Sequence, residues 1–381
     1  MIIEITRSIR KDVERDLWVK AGGRCEFNGC NKLLYKSSLT QEPINIAQKA
    51  HIYSFSPEGP RGNCPLKGKD INSCENLMLM CHECHLVIDH DKSGVKYSAK
   101  QLQEWKVAHE KRIVIVTGIN PELRSHVILF SSPIGKYVPN WDKADFFEAM
   151  FPSRYPADDQ PIDLSIKTNE EDFSPETYAT HIKQLEKDFN RKVKERIEDG
   201  SITHVSLFGL GTQPFLFVIG KLFGNIIPAD IYQRHRIPEQ TWGWPESTPQ
   251  SITYQVIKPT TRYGKIALLF ALSSQILDSE IAAALKTTQY DMWKITVSEP
   301  NVNLIQCRES LNDFYKIVGV VYDEIKCIYG SDAEIHLFPV MPNSCAIMAG
   351  RAAMPKANLP MLLYDKVEKE TKKQFVYCTK I

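Results

Sequence analysis

The chain has 381 residues, of which 43% are hydrophobic and 24% charged, and its formal net charge is +1. This composition is typical of a globular protein with roughly two or three domains, and it excludes collagen-like, disordered and disulfide-scaffold classes. The first 115 residues carry a small excess of basic residues and the rest a small acidic excess. The N-terminal part is therefore compatible with DNA contact.

The N-terminal segment Met1–Arg7 lacks the pattern of a signal or transit peptide. The most apolar stretch, Phe215–Ile227, contains Lys221 and is too short to cross a bilayer. We therefore expect a cytoplasmic protein without membrane contact. In that compartment the ten cysteines stay reduced, so clustered cysteines indicate metal ligands rather than disulfides.

The order of elements predicts two domains. Apolar residues at helical spacing predict a helix over residues 9–21, which Gly22 and Gly23 end. Cysteine- and glycine-rich loops follow to about residue 97, and a second helix is expected near Ser98–Arg112. From His126 short β-rich runs alternate with helices. We expect a first domain over residues 1–115, a linker over 116–125 and a second domain over 126–381.

Two cysteine pairs in the first domain predict a structural zinc site. Cys25 and Cys30 are separated by four residues, and Cys81 and Cys84 by two. Paired thiolates at such spacing suit tetrahedral Zn²⁺, which stabilises small, loop-rich domains. Cys64 and Cys74 lie between the pairs and are alternative ligands.

Polar residues between and after these pairs have the chemistry of phosphodiester hydrolysis. His51 lies in a short apolar run, and His85 and Asp89 are four residues apart, so a helix beginning at the second cysteine pair would present both on one face. An imidazole and a carboxylate there can bind Mg²⁺ or a similar divalent cation. A neutral histidine can take a proton from the attacking water.

These residues resemble the motif of the HNH (ββα-metal) endonucleases. In that family an asparagine precedes the first helix ligand by nine residues, and the second ligand follows four later; Asn76, His85 and Asp89 fit this spacing. The resemblance implies that His51 is the general base, that Asn76 shapes the catalytic loop, and that His85 and Asp89 bind the catalytic metal. It also implies an α+β fold bound to zinc and double-stranded DNA as the substrate.

One position departs from the family pattern. Many members carry an additional metal ligand immediately before the base histidine, where this chain has Ala50. The catalytic metal then has two protein ligands, and His82, His90 or Asp91 are possible substitutes.

The second domain contains an internal repeat at a separation of 130 residues, which becomes 132 in its last segment. The segment from Ser206 to Pro214 matches that from His336 to Ser344, and residues 227–232 match 359–364. Each copy predicts a strand, a tight polar loop, a helix, a proline turn and a strand, which is a βαβ unit of a parallel sheet. We expect an α/β domain of two fused Rossmann-like repeats; chance similarity of two ordinary βαβ units is the alternative.

The second copy resembles the SAVED domain family over Ile335–Pro339, residues 342–346, residues 349–351 and residues 363–365. SAVED domains consist of two fused CARF-like halves that bind cyclic oligonucleotides. An HNH domain joined to a SAVED domain resembles the effector nuclease of cyclic-oligonucleotide-based antiphage signalling (CBASS). The resemblance implies a cyclic dinucleotide activator, such as cyclic GMP-AMP, made by a partner cyclase. It also implies ligand-induced homo-oligomers that degrade DNA.

The loops that begin the two repeat helices are the candidate ligand site, because helix N-termini at the carboxyl ends of parallel strands favour anions. The candidates in these loops are Gln213, Pro214, Asn343 and Ser344. Trp242 and Trp244 are candidates for stacking on a base, with burial in a core or interdomain surface as the alternative. Arg351, Arg234 and Arg236 are candidates for phosphate contact, although solvated positions are the more common role of such residues.

Two other functions are compatible with the sequence. One is a restriction-like HNH endonuclease whose C-terminal domain reads DNA, although that domain lacks a basic excess. The other is a zinc-bound nucleic-acid-binding module without catalysis, which Ala50 makes plausible.

Overall fold

The computed structural model describes residues 8–62, 71–135, 137, 139, 142–168, 174–236, 240–245, 251–353, 359–369 and 372–381. The chain divides into two compact units, an N-terminal unit, Met1–Asn120, and a C-terminal unit, Pro121–Ile381. Among the described residues, every helix is too short or too polar to span a bilayer.

The N-terminal unit consists of a β-hairpin and three helices. Its elements are α1 (Lys11–Lys20), β1 (Ala47–His51), a 3-10 turn (Cys74–Asn76), β2 (Leu77–Cys81), α2 (His82–His90) and α3 (Ala99–Thr117). Strands β1 and β2 are antiparallel, with Ala47 opposite Cys81 and His51 opposite Leu77. Helix α2 begins directly after β2, so the central part of the unit has the order strand, strand, helix.

The hairpin packs into a small apolar core. Leu17 of α1, Ile88 of α2 and Leu102 of α3 are fully buried, as are the residues of β2 from Leu77 to Met80. Gly22 and Gly23 have positive φ angles of 61° and 67° and allow the chain to turn after α1.

Helix α3 continues to Thr117, past the predicted end near Arg112. The predicted end was wrong because β-branched residues, which have weak helix preference, occupy positions 113–116. In the structure, Ile113 packs over Gly22, the residue that ends the α1 turn. This tertiary contact favours helix over the weak local preference of β-branched residues.

The C-terminal unit alternates strands and helices. Its first part contains β3 (Arg124–Ser131), α4 (Lys143–Met150), β4 (Tyr155–Pro156), β5 (Ile162–Asp163), α5 (Pro175–Phe189), a π-helical turn (Asn190–Lys194), α6 (Glu195–Glu198), β6 (Val205–Leu210), α7 (Gln213–Phe223) and β7 (Ala229–Tyr232). Its second part contains β8 (Gln255–Ile257), β9 (Ile266–Ala271), α8 (Asp278–Leu285), β10 (Asp291–Thr296), α9 (Arg308–Tyr329), β11 (Ile335–Val340), α10 (Asn343–Ala352), β12 (Met361–Lys369) and β13 (Lys372–Lys380).

Two sheets repeat the same parallel arrangement. One has the order β4-β3-β6-β7, with β5 also paired to β3, and the other has the order β13-β12-β11-β9-β10-β8. Strands β3, β6 and β7 are parallel neighbours, as are β9, β11 and β12. The predicted strand–helix–strand repeat is confirmed as β6-α7-β7 and β11-α10-β12. It extends to one preceding strand in each half, β3 and β9, which the sequence comparison did not include.

Matching aromatic pairs show how closely the halves correspond. Phe208 stacks on Tyr232 with ring centroids 4.3 Å apart, and Phe338 stacks on Tyr364 at 4.4 Å. These pairs occupy equivalent positions of β6 and β7 in the first half and of β11 and β12 in the second. The inner faces of both sheets share one hydrophobic core with α5, α7, α9 and α10. The outer faces pack separately with α4 and α8.

Helices α7 and α10 cross at a glycine in each, Gly220 and Gly350, which occupy equivalent positions of the repeat. A Cβ atom on Gly220 would overlap the carbonyl group of Ile347, and one on Gly350 would overlap the carbonyl group of Phe217. Each glycine therefore contacts the backbone of the opposite helix. Any side chain would push the helices apart and strain the core that both halves share.

We predict that Gly220→Ala destabilises the protein by about 1–3 kcal/mol, because the added methyl group meets backbone rather than a movable side chain. Urea unfolding followed by tryptophan fluorescence measures this. Gly319→Ala in α9 is the matched control, since a Cβ there meets nothing within 4 Å. It should be neutral or stabilise by up to about 1 kcal/mol. Wild-type stability of Gly220→Ala would contradict the close crossing.

Candidate functional site

Four cysteine sulfurs of the N-terminal unit converge. The Sγ atoms of Cys25, Cys30, Cys81 and Cys84 all lie within 4.8 Å of one another, and those of Cys30 and Cys81 are 3.9 Å apart. A tetrahedral zinc with Zn–S bonds of about 2.3 Å requires sulfur atoms about 3.8 Å apart. The four residues therefore fit a structural zinc ion.

The chemistry of these thiols also fits a cation. Burial raises the pKa of Cys25 to about 12 and also raises the pKa of Cys84. Thiolates at such positions need a positive charge to form at neutral pH. The Cys81 backbone N–H donates to the Cys25 sulfur at 3.3 Å, which orients that ligand.

The alternative cysteine ligands lie elsewhere or outside the described residues. Cys74 is not in the four-sulfur group; its thiol lies near the ammonium groups of Lys20 and Lys106. Cys64 lies outside the described residues.

His51 ends β1 and is half-buried. Its Nε2 atom lies 2.9 Å from the Oδ1 atom of Asn72. Asn76 is fully buried and holds the segment after His51: its amide nitrogen donates to the carbonyl groups of Tyr53 (3.1 Å) and Ile71 (2.8 Å). Its amide oxygen accepts from the Tyr53 N–H at 2.9 Å. The side chain of Asn76 therefore fixes the loop around His51.

His85 and Asp89 share one face of α2, with 3.3 Å between the His85 Nε2 and an Asp89 carboxylate oxygen. Burial lowers the pKa of His85, and the Asp89 carboxylate partly opposes this shift. The lowered pKa favours the neutral ring, which is the form that binds metals.

Arg61 connects the two sides of this site and was missed in the sequence. Its side chain is 4% exposed, and the guanidinium group donates to the carbonyl groups of Ile52 (2.7 Å) and Ile88 (3.1 Å). It also lies 3.8 Å from the Asp89 carboxylate. The residue after His51 and the residue before Asp89 are therefore held by one side chain. No local pattern in the sequence marks Arg61.

The three possible substitutes for a metal ligand at residue 50 differ in exposure and in hydrogen bonding. Ala50 is fully buried in the core. The carboxylate of Asp91 accepts from the Ser93 hydroxyl and the Tyr97 N–H, each at 2.8 Å, and so stabilises a turn. His82 and His90 are exposed.

The C-terminal unit has a cleft of about 420 Å³ at the carboxyl ends of the parallel strands of both halves. The first half contributes Ile134, Tyr137, Leu210, Gln233, Arg234, Arg236 and Gln240 to its lining, and the second half contributes Ser273, Val302, Met341, Pro342 and Asn343. The cleft is the position at which parallel α/β sheets bind ligands.

The two helix N-termini meet at this cleft. The Gln213 amide nitrogen donates to the Met341 carbonyl at 3.1 Å and lies 3.5 Å from the Asn343 Oδ1 atom. The hydroxyl and N–H of Ser344 donate to Gln233 Oε1 at 2.7 and 3.2 Å. Pro214 is buried beside Gln213. The structure thus brings the four predicted loop residues together, with Asn343 in the cleft lining and Ser344 behind it.

The other predicted ligand residues are placed differently. Arg234 and Arg236 line the cleft. Arg351 lies at the opposite end of α10, where it donates to the Ile227 carbonyl at 3.3 Å. Helix α10 separates it from the cleft by about two turns.

The two candidate tryptophans lie outside the cleft lining. Trp242 is 1% exposed and packs edge-on against Phe208 in the outer core of the first half. Its indole is therefore covered by protein rather than open to a base. Trp244 is half-buried and lines a different cavity, beside Arg308.

The cleft is electrostatically asymmetric. Both arginines come from the segment after β7, whereas the described lining residues of the second half carry no charge. The residue equivalent to Arg234 in the second half is Lys366, which pairs with Glu280 at 2.8 Å. Gln233 also has an unlike equivalent in Asp365, which accepts from Tyr178 at 3.4 Å. The duplication preserves the strands but not the polar groups at their ends.

The profile of a known family matches the second part of the chain. The family is described as SAVED, the SMODS-associated and fused to various effectors sensor domain, and the match covers residues 185–381. This is more than half of the chain. The chain belongs to the SAVED family. The α/β architecture of two similar halves in the C-terminal unit is therefore the fold of a SAVED sensor domain.

Solved structures of SAVED/CARF-domain receptors are similar at low identity. The Acinetobacter baumannii Cap4 receptor with the cyclic trinucleotide 2'3'3'-cAAA has 12% identity and a TM-score of 0.44, covering 83% of this chain and 67% of that chain. The same receptor with 3'3'3'-cAAA has 12% identity and a TM-score of 0.43, with coverages of 78% and 65%. The Moraxella osloensis Cap4 receptor has 11% identity and a TM-score of 0.39, with coverages of 83% and 66%.

The chain thus spans about two thirds of the length of these receptors. No curated protein matches the chain.

We predict that the full chain binds one zinc ion and that Cys81→Ser loses it, because three thiolates bind zinc far more weakly than four. Elemental analysis of the purified protein measures the zinc, and circular dichroism measures the accompanying loss of helix. Cys74→Ser is the control and should retain the zinc, since its thiol lies outside the four-sulfur group. Zinc retained by Cys81→Ser at full occupancy would contradict the assignment.

Proposed function

We propose that the chain is a metal-dependent DNA endonuclease whose SAVED domain senses a cyclic oligonucleotide. The observation that carries the nuclease assignment is the placement of His51, His85 and Asp89 around a strand–strand–helix segment that four cysteines hold together. The spacing of Asn76, His85 and Asp89 matches the HNH pattern, and the buried side chain of Asn76 bonds to both loop segments beside His51.

The proposed chemistry is hydrolysis of a phosphodiester bond. The imidazole of His51 takes a proton from the attacking water as general base. A divalent cation, when bound by His85 and Asp89, supplies positive charge to the phosphate oxygens. Arg61 bonds to the carbonyl groups of Ile52 and Ile88, and Asn76 to that of Ile71, so these side chains would hold the base beside the residues that would bind the metal.

Sensing is assigned to the cleft of the SAVED domain. Membership of a sensor-domain family supports this role, and so do two arginines beside two helix N-termini, which together favour a phosphate-containing ligand. The two halves present different groups, so we propose that the ligand itself is read asymmetrically, with a phosphate near Arg234 and Arg236. A cyclic dinucleotide such as cyclic GMP-AMP and the cyclic trinucleotides of the Cap4 receptors are the candidates.

In this proposal a partner cyclase makes the activator during antiphage defence of the CBASS type. Ligand binding then drives self-association of the chain, which brings two nuclease units to the two strands of DNA. Cleavage of double-stranded DNA would follow, with Zn²⁺ as the structural metal and Mg²⁺ as the catalytic one.

One observation favours a second function, a zinc-bound nucleic-acid-binding module without catalysis. Asp89 already lies close to Arg61 and His85, and residue 50 supplies no metal ligand. A cation would share Asp89 with a guanidinium group. The two functions differ in whether DNA is cut.

We predict that purified protein degrades plasmid DNA in Mg²⁺ only when a cyclic di- or trinucleotide from a panel is present, and that His51→Ala loses at least about 100-fold of this activity, the share typical of a general base. Gel electrophoresis over time measures cleavage, and His109→Ala is a control histidine of the same unit that is buried away from the site. Discrete fragments without any nucleotide would favour a restriction-like enzyme. DNA binding without cleavage would favour the non-catalytic module.

We predict that Arg234→Ala weakens binding of the activating nucleotide by roughly tenfold or more, because it removes a charge-assisted contact to phosphate. Isothermal titration calorimetry measures this with cyclic GMP-AMP, 2'3'3'-cAAA and 3'3'3'-cAAA. Arg191→Ala, an exposed arginine of the same unit, is the matched control. If a nucleotide binds the wild type and the Arg234→Ala, Arg236→Ala double variant equally, the ligand lies outside this cleft.

A further inference from the structure

His51 has a side-chain partner that the HNH resemblance does not supply. Its Nε2 atom lies 2.9 Å from Oδ1 of Asn72, in the segment just before the 3-10 turn. An amide oxygen accepts hydrogen bonds but cannot donate one. In this geometry Nε2 therefore carries the proton of the neutral ring, and Nδ1 holds the lone pair.

The position of Asn72 is fixed by the same residue that fixes the segment after His51. Asn76 donates to the carbonyl of Ile71, the residue immediately before Asn72, and exchanges hydrogen bonds with the backbone of Tyr53. Asn76 is fully buried, so these bonds are shielded from water. The two loop segments that bring Asn72 and His51 together are therefore tied to one amide group.

Among the described residues, Phe55 also contacts His51 but does not select a ring nitrogen. Phe55 packs against the imidazole edge-to-face, with centroids 6.1 Å apart, and restricts ring rotation without distinguishing the two nitrogens. The hydrogen bond to Asn72 does distinguish them.

We propose that Asn72 is a positioning residue for the general base: it holds the proton of His51 on Nε2 and turns Nδ1 toward the attacking water. This rests on the proposed nuclease function for its catalytic meaning. Proton abstraction needs an unprotonated nitrogen aimed at the water, and an imidazole with no fixed partner divides its population between two tautomers and several ring orientations. The hydrogen bond to Asn72 selects one tautomer and one ring orientation before DNA binds.

The test compares Asn72→Asp with Asn72→Leu in the full chain. Aspartate keeps an oxygen acceptor at nearly the same place, whereas leucine has a similar shape and no acceptor. Asn45→Ala is the control, because that exposed amide oxygen accepts from the nearby backbone N–H of Ala47. Zinc content and unfolding midpoint establish that each variant is folded.

The first readout is nitrogen NMR of histidine-labelled protein, with His51→Ala identifying the His51 signal. We expect the wild type and Asn72→Asp to show the proton on Nε2, and Asn72→Leu to show a mixture of tautomers. The second readout is plasmid cleavage, in which Asn72→Leu should lose roughly tenfold or more of the rate, part of what a general base contributes. Asn72→Asp should recover most of that loss.

The two readouts separate the proposal from the function on which it rests. If Asn72→Leu changes the tautomer of His51 but neither the wild type nor any variant cleaves DNA, the positioning contact is supported and the nuclease assignment is overturned. An unchanged His51 signal in folded Asn72→Leu, together with wild-type cleavage, would overturn the role of Asn72 and leave the nuclease assignment standing.

Discussion

The close crossing of helices α7 and α10 determines the geometry of the SAVED domain. Because Gly220 and Gly350 have no side chain, each helix contacts the backbone of the other, and the two βαβ units share one core instead of packing as separate layers. The same approach brings the helix N-termini together at the far end, where Gln213 of one repeat reaches Met341 and Asn343 of the other. The cleft therefore lies between two repeats that can approach closely because Gly220 and Gly350 have no Cβ atom.

A cleft between two identical repeats would be symmetric. Residues that differ between the halves make this cleft asymmetric. Ser344 can donate its N–H and hydroxyl to Gln233, but the equivalent residue in the first half is Pro214, which has no N–H. Asp365 occupies the position equivalent to Gln233. Its carboxylate accepts a hydrogen bond from the Tyr178 hydroxyl instead. Desolvation raises the pKa of Asp365 to about 6, so its carboxyl group stays mostly ionised at neutral pH and protonates in mild acid. Both arginines of the cleft come from the first half, which supports the proposal of a ligand that is read asymmetrically.

The parts that the sequence predicted well are those encoded by short spacings. Each cysteine pair is close in sequence, with the second pair at the end of β2 and the start of α2, and the repeat is visible because equivalent residues lie 130 to 132 positions apart. Contacts that depend on distant segments were not predictable: Trp242 looked like a loop aromatic, but Phe208 on a central strand offers it a buried face. The end of α3 was misjudged for the same reason, since Ile113 is stabilised by contact with Gly22. Asn72 and Arg61 have no periodicity or motif, and only the folded loop shows what they bind.

Arg61 also bears on how the proposed nuclease would hold its metal. A buried guanidinium group needs partners for its charge and its N–H groups, and here carbonyl groups and the Asp89 carboxylate provide them. The carboxylate is therefore already partly neutralised, and a cation approaching Asp89 also meets the positive charge of Arg61. With residue 50 contributing no ligand, protein groups alone give a hard divalent ion few oxygen atoms. In the proposed enzyme, phosphate oxygens of DNA would complete the coordination, so metal binding and substrate binding would reinforce each other. Such coupling would keep the site weakly loaded with metal until DNA is present.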